Sequence, residues 1–231
     1  MHWEKPLKTA ILKNRYKRFL ADIDLGGEML TVHVPNTGSM QSCWAPDWKC
    51  AVSVSDNPKR KMPYTLELIH NGESWIGVNT GNANKLVKDW LTKEALPEFQ
   101  GYTVIQPEKK TGDSRVDFYL EGHPEGPPCY VEVKSVTLKL NGEAQFPDSI
   151  SKRGQKHLDE LLKLKLEGYR CAMLFVVQRE DVASFTPAGS IDPTYAELLR
   201  KAFEGGVEIF VYQCRMDLKE LSLGKSLPFR L

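Results

Sequence analysis

At 231 residues the chain is long enough to bury a full core and falls in the size range of one domain or two. Charged residues at 26% and apolar residues at 41% are an ordinary globular balance, and no apolar run nears the roughly 18 residues that a spanning helix needs, which excludes a membrane span. A net charge of +1 gives no bulk attraction to a polyanion, so a nucleic-acid reading has to rest on where the cations cluster.

The first residues, Met1-His2-Trp3-Glu4-Lys5-Pro6, carry charge at once and lack the apolar stretch of a secretory signal. Cysteines fall at 43, 50, 129, 171 and 214, an odd number with no C-x-x-C pair, which argues against a disulfide framework and against a zinc cluster. Reduced thiols and a cytoplasmic location are the expectation.

From about residue 9 to residue 79 the sequence reads as short strands: Tyr16 to Ile23, Met29 to Val34, Ala51 to Ser55, Tyr64 to Ile69 and Ser74 to Val78. They are broken at Gly26-Gly27, Asn36-Thr37-Gly38, Asn57-Pro58 and Asn71-Gly72. Five strands in about 70 residues without a convincing helix predict an OB-type barrel over residues 1–80. After Asn79 the rhythm changes. Leu86, Val87, Trp90 and Leu91 fall at helical spacing, with Asn82 or Asn84 as the N-cap. Strands then read at Tyr102 to Gln106, Arg115 to Leu120 and Cys129 to Thr137, followed by a helix from about Arg153 to Leu166. The apolar run Cys171 to Gln178 reads as a central strand, Pro193 opens a helix through Phe203, and Val207 to Cys214 supplies a further strand. The fold class is therefore α+β in two domains, the second, residues 81–231, a mixed α/β layer. Asn36-Thr37-Gly38 and Asn79-Thr80-Gly81 echo each other, which glycine and asparagine at positive φ would explain as well as function would.

Glu132 and Lys134 stand two apart in Tyr130-Val131-Glu132-Val133-Lys134, so on a strand both point to one face while Val131 and Val133 point to the other. A buried charged pair is costly unless something compensates it, and a divalent cation does so. On the preceding strand Val116 and Phe118 take the apolar face and Asp117 the other, and hairpin pairing brings Asp117 beside Glu132. Two converging carboxylates suit Mg²⁺ or Mn²⁺, with Lys134 placed to assist the attacking water or to neutralise charge on a phosphate. The competing reading is an exposed strand face carrying an ion pair.

This order of elements, with Asp117 and Glu132-Val133-Lys134, resembles the core of the PD-(D/E)XK nuclease superfamily. More of the chain resembles the sugar fermentation stimulation protein family, through Arg15-Tyr16-Lys17-Arg18-Phe19, His33-Val34-Pro35-Asn36-Thr37-Gly38-Ser39-Met40, Ser114-Arg115-Val116-Asp117-Phe118, Tyr130 to Thr137, Phe146-Pro147-Asp148, Arg153-Gly154-Gln155-Lys156-His157-Leu158 and Ile191-Asp192-Pro193-Thr194-Tyr195. The resemblance implies an N-terminal OB-like domain, a nuclease-like C-terminal domain and DNA binding. It also attaches a role in regulating sugar (maltose) metabolism, so a non-cleaving DNA-binding regulator is the alternative to a metal-dependent DNA nuclease. Val34 and Ala83 depart from the family's usual Cys and Pro. The superfamily commonly takes a further acid from the first helix, for which Asp89 is the best match and Glu94 a poorer one.

Lys13, Arg15, Lys17 and Arg18, interleaved with Tyr16 and Phe19, read either as a phosphate track with stacking faces or as a solvated edge strand, and Lys59-Arg60-Lys61 reads as a charged loop. Asn36, Arg153, Lys156 and His157 complete the expected contacts to DNA, or to RNA. Arg153 and Lys156 are the backbone clamps, and His157 reads equally well as a surface or capping residue. Asp192 before Pro193 reads as an N-cap. Oligomeric state is left open.

Overall fold

The computed structural model describes residues 1–111 and 114–231. Strands β1 (Lys8–Tyr16), β2 (Leu20–Leu25), β3 (Glu28–His33), β4 (Lys49–Val54) and β5 (Tyr64–His70) form a closed ring. β1 pairs with β2 and β4, β2 with β3, β4 with β5, and β3 meets β5 at His33↔Thr65, so the barrel has no free edge; β6 (Trp75–Gly77) extends it beyond β5. Leu12, Ile23, Val32, Leu66 and Ile69 fill its interior with no exposed surface, each burial stabilising by about 1.5–3 kcal/mol.

The expected first strand, Tyr16 to Ile23, is instead the end of β1, a three-residue turn of Lys17, Arg18 and Phe19, and the start of β2. Lys17 and Arg18 have φ of 49° and 62°, in the left-handed region. Gly, Asn or Asp normally signals such positions, so a Lys-Arg pair reads as strand.

The C-terminal unit runs α1 (Gly81–Thr92), a 3₁₀ turn at Pro97–Phe99, β7 (Val104–Thr111), β8 (Ser114–Glu121), β9 (Cys129–Val136), β10 (Leu138–Leu140), β11 (Glu143–Phe146), α2 (Lys152–Leu166), β12 (Arg170–Val177), β13 (Phe185–Pro187), α3 (Pro193–Glu204), β14 (Glu208–Met216) and β15 (Leu221–Ser226). Six strands make one sheet in the order β15-β14-β12-β9-β8-β7, with β9, β12 and β14 parallel at its centre. Leu86, Val87 and Trp90 of α1 pack on one face against Val131, Val133, Leu174 and Val176. Leu158 and Leu161 of α2 and Tyr195 and Leu199 of α3 cover the other, against Cys171, Met173 and Phe175. Both faces of the centre are thus dry, as near-continuous apolar strands require. Helix α1 begins after Thr80 with no side-chain cap, so neither Asn82 nor Asn84 is the N-cap; both lie inside the helix.

Barrel and sheet share buried surface, since Ala51 and Leu68 of the barrel join the α1 layer. Arg179, 1% exposed, locks the seam. Its guanidinium donates to both carboxylate oxygens of Asp181 at 2.7 and 2.8 Å, to the Thr137 carbonyl at 2.7 Å and to Ser42 Oγ at 3.2 Å. The first residues of the chain leave the barrel altogether. Met1 exchanges backbone bonds with Leu221, Trp3 donates to Lys219 and Asp217 carbonyls, and Met1, Trp3 and Leu7 pack on the α1 layer. Among the described residues no helix is long and apolar enough to cross a membrane.

Candidate active site

Period-two alternation on β9 works as the sequence dictates: Val131 and Val133 enter the α1 layer, and Glu132 and Lys134 point toward α2. Because β9 is flanked by β8 and β12, in register Met173↔Glu132 and Phe175↔Lys134, the pair is held inside the protein: the Glu132 side chain is 2% exposed and that of Lys134 11%. Lys134 Nζ lies 2.5 Å from Glu132 Oε1 and 3.3 Å from His157 Nδ1. His157 Nδ1 also contacts Glu132 Oε1, while its Nε2 accepts from Arg153 Nε at 3.3 Å. Burial pushes the Glu132 carboxyl up, but the His157 hydrogen bond and the Lys134 charge outweigh it and leave it below the ordinary range. Among the described residues Glu132 Oε2 is buried with no hydrogen-bond partner.

Asp117 reaches this group through a break in the sheet. The β8–β9 ladder runs Leu120↔Cys129, Tyr119↔Tyr130, Phe118↔Val131 and stops there, and the β7–β8 pairing skips Glu108 and Asp117. Glu108 has φ of 56°, so β7 is distorted opposite Asp117. Where the ladder opens, Asp117 Oδ2 accepts the Val133 N–H at 2.8 Å and Oδ1 accepts Asn84 Nδ2 at 2.7 Å. Burial, then the nearby Glu132 charge, raises the Asp117 carboxyl above its ordinary value, against the two hydrogen bonds. The same distortion corrects the expected alternation: Val116 packs in the α2 layer and Phe118 in the α1 layer, so they do not share a face.

Asp89 is not brought here. Its carboxylate pairs with Lys93 at 2.9 Å and faces the Met1 ammonium at 3.8 Å, and the α1 residue at the site is Asn84. Glu94 lies beyond the helix, with φ of 51°. Among the described residues no three His, Cys, Asp or Glu side chains gather as a ligand set. Asp117 and Glu132 are the two carboxylates that converge between β8 and β9, and a hard cation commonly takes only one or two from the protein.

The cleft above these groups, about 430 Å³, is walled by the two echoed turns. Asn36 Oδ1 accepts the Gly38 N–H at 2.9 Å and Asn79 Oδ1 the Gly81 N–H at 3.1 Å, so both are Asx turns, zipped together by Thr80 donating to the Pro35 carbonyl. Neither Gly38 nor Gly81 has positive φ, which removes that explanation of the echo. Crowding favours Gly38: a Cβ there would overlap the Asp148 carboxylate, which accepts the Met40 N–H at 3.1 Å and would have to move away. Asp148 and Asn84, unassigned from sequence, are thus the residues that shape the cleft and aim Asp117.

The remaining expected contacts divide. Asn36, 3% exposed, spends its Nδ2 on the Val78 carbonyl, and the Arg15 guanidinium is committed to the carbonyls of Arg18, Asn36, Gly38 and Ser39. Both build the wall. Lys13 pairs with Asp47 at 2.7 Å, while Lys17, Arg18, Arg153 and Lys156 are exposed. His157 is buried among the charged groups rather than displayed on the surface. Asp192 caps α3 as expected, accepting from Tyr195, and also accepts the Ser151 N–H and Gln155 at the start of α2, so one carboxylate orients both helices.

Residues 81–220 match the family described as "Sugar fermentation stimulation protein RE domain" and residues 14–78 match "SfsA N-terminal OB domain". Relatives from Shewanella baltica (strain OS185) and Shewanella sp. (strain ANA-3), each named "Sugar fermentation stimulation protein homolog", are 45% and 46% identical over the full length of both chains. A solved structure, "The structure of Pyrococcus Furiosus SfsA in complex with Ca2+", is similar with a TM-score of 0.91 at 30% identity, covering 100% of this chain and 98% of that one. With the two family models matching residues 14–78 and 81–220 and relatives of 45% and 46% identity matching from end to end, the chain belongs to the sugar fermentation stimulation protein family.

Proposed function

We propose that this protein is a nuclease dependent on Mg²⁺ or Mn²⁺, in which Asp117 and Glu132 hold the cation, Lys134 assists the chemistry, and DNA, or else RNA, is cut. The observation that carries this reading is the convergence of Asp117, Glu132 and Lys134 in one cleft with Glu132 Oε2 left buried and unpartnered. An orphaned buried carboxylate oxygen is costly, and a cation would satisfy it. When bound, such a cation supplies Lewis-acid polarisation of a phosphate oxygen and activation of water. The Pyrococcus relative is described as a complex with Ca²⁺, another hard cation with a preference for oxygen ligands.

The chain's own groups fit the rest of the task. Each Asp117 oxygen takes one hydrogen bond, from Val133 or Asn84, which fixes the carboxylate and leaves further lone pairs free. The Lys134 ammonium, held by Glu132 and His157 where little water reaches, can offset negative charge developing on a phosphate. Arg153 holds His157 in turn. The five buried free thiols suit the reducing cytoplasm, where we place the protein.

The alternative, a DNA-binding regulator that does not cleave, draws on the internal partners that Lys134 and His157 already give Glu132 and on the absence of Asp89 from the site. Incubation with linear, circular and single-stranded DNA and Mg²⁺ or Mn²⁺, beside Lys134→Ala and Asp117→Asn, separates the two. Metal-dependent cleavage lost in both variants supports the nuclease; DNA binding without cleavage under every condition rejects it in favour of the regulator.

A further inference from the structure

Beside the catalytic cleft lies a groove of about 380 Å³, lined by Lys110, Ser114 and Arg115 of the β7–β8 hairpin and by Arg153, Lys156 and His157 of α2. Arg153 and His157 line both spaces, so groove and cleft are neighbours that share these two side chains. Two features of the groove run against ordinary stability rules. Lys110 and Arg115 are direct cross-strand partners, and like charges placed opposite each other repel. Helix α2 opens Lys152-Arg153-Gly154-Gln155-Lys156 with no acid in its first turn, although the helix dipole disfavours cations at that end. Lys110, Arg115, Arg153 and Lys156 are all exposed. The neighbouring Lys109 is used differently, since its ammonium stacks 4.4 Å from the Tyr119 ring and donates to Gln106. Among the described residues Glu108 is the acid that lines the groove beside four cations, and Glu160 accepts from Thr111 Oγ1 at 2.9 Å, a bond that ties the hairpin stem to α2.

We propose that this groove is a second phosphate subsite, which binds the backbone of one nucleic-acid strand on the flank of the cleft where that strand is cut. The inference rests on the nuclease reading for the identity of the ligand, and adds the hairpin cations Lys110 and Arg115 as its determinants. A chain of phosphates passing between hairpin and helix would relieve both repulsions at once. Recognition there is of backbone charge, so it is independent of base sequence.

The test is fluorescence anisotropy with labelled single-stranded oligonucleotides of 4 and 16 nucleotides, in EDTA so that nothing is cut, across a salt series. Wild type is compared with Lys110→Glu/Arg115→Glu and with a control reversal of two exposed α3 cations that do not line the groove, Arg200→Glu/Lys201→Glu; circular dichroism checks that each is folded. The hairpin reversal is expected to weaken the 16-mer at least tenfold, and to lower the slope of log affinity against log salt by about 1.4, two phosphate contacts at roughly 0.7 each on a single strand. The 4-mer and the control reversal are expected to change less than twofold. If wild type binds the 16-mer while the hairpin reversal leaves affinity and slope unchanged, the subsite is rejected and the nuclease reading stands. If wild type binds neither oligonucleotide, the subsite is rejected, and the metal-dependent cleavage assay on linear, circular and single-stranded DNA decides the nuclease reading separately.

Discussion

Arg179 is the residue whose removal the structure prices most clearly. Its guanidinium is fully buried and makes two bonds to Asp181, one to the Thr137 carbonyl and one to Ser42 Oγ. Replacing it by Met keeps much of the volume but leaves Asp181, 5% exposed, with Lys139 at 2.9 Å and Asn71 at 2.9 Å as its partners, and leaves the Thr137 carbonyl with the weak Cys43 thiol donor at 3.3 Å. Breaking one side of a buried ion pair costs about 3–5 kcal/mol. At roughly 2–4 °C per kcal/mol for a chain of this size, the melting temperature should fall by about 6–20 °C. Asp181 itself is held well below the usual carboxylate range, since the Arg179 and Lys139 bonds overcome burial. A depressed carboxyl contributes stability above its unfolded-state pKa of about 3.9, which is lost as pH falls through the folded value. The gap between wild type and Arg179→Met in urea unfolding should therefore be full at pH 7 and narrower at pH 3. A loss below about 1 kcal/mol at pH 7 would falsify the claim that this pair locks the seam.

Gly38→Ala should push Asp148 off the Met40 N–H and deform the cleft wall, costing about 1–3 kcal/mol and lowering any metal-dependent cleavage; unchanged unfolding and activity would show that the wall yields freely. All five thiols are buried, with burial raising Cys43 to about 11 and Cys50 and Cys171 to about 12, so native protein at pH 8 should react negligibly with a thiol reagent and show five thiols when unfolded. A fast-reacting native thiol would contradict that packing. Because burial raises Asp117, it gives up its proton at higher pH than an ordinary aspartate, so Mn²⁺ affinity should climb with rising pH through the carboxylate range more steeply than in Asp117→Asn. Parallel pH profiles for the two proteins would remove Asp117 from the ligand set.

The charged face of β9 was legible because strand parity is rigid: once Val131 and Val133 are inside, Glu132 and Lys134 have one face left. The same logic failed one strand earlier. Val116 and Phe118 separate because β8 is distorted at Asp117, and no residue type announces a distortion made by Glu108 on the neighbouring strand. Helical spacing found α1, yet it ranks apolar residues and says little about which polar side chain meets a neighbour, so Asp89 was preferred where Asn84 is the contact. Strand β1 was missed behind the Lys17-Arg18 turn. The β10–β11 hairpin carried the ordinary signal, Asn141-Gly142 at φ of 52° and 82°, but its strands of three and four residues are too short for periodicity. Strand β13 lacks a signal of that kind and is ordered by its parallel pairing with β11 far along the chain, whereas β15 closes a hairpin with β14 whose turn, Asp217 to Glu220, contains no glycine or asparagine.

The pairing of Met1 and Trp3 with residues 219–221 has a temporal side. Translation at about 5–20 residues per second separates the emergence of those partners by on the order of 10–40 s. Throughout that interval the barrel can close on its own core, while Trp3 and Leu7 stay exposed to any chaperone that reads apolar segments. The leading segment is thus fastened last, and docking of β15 is the event that completes both ends of the fold.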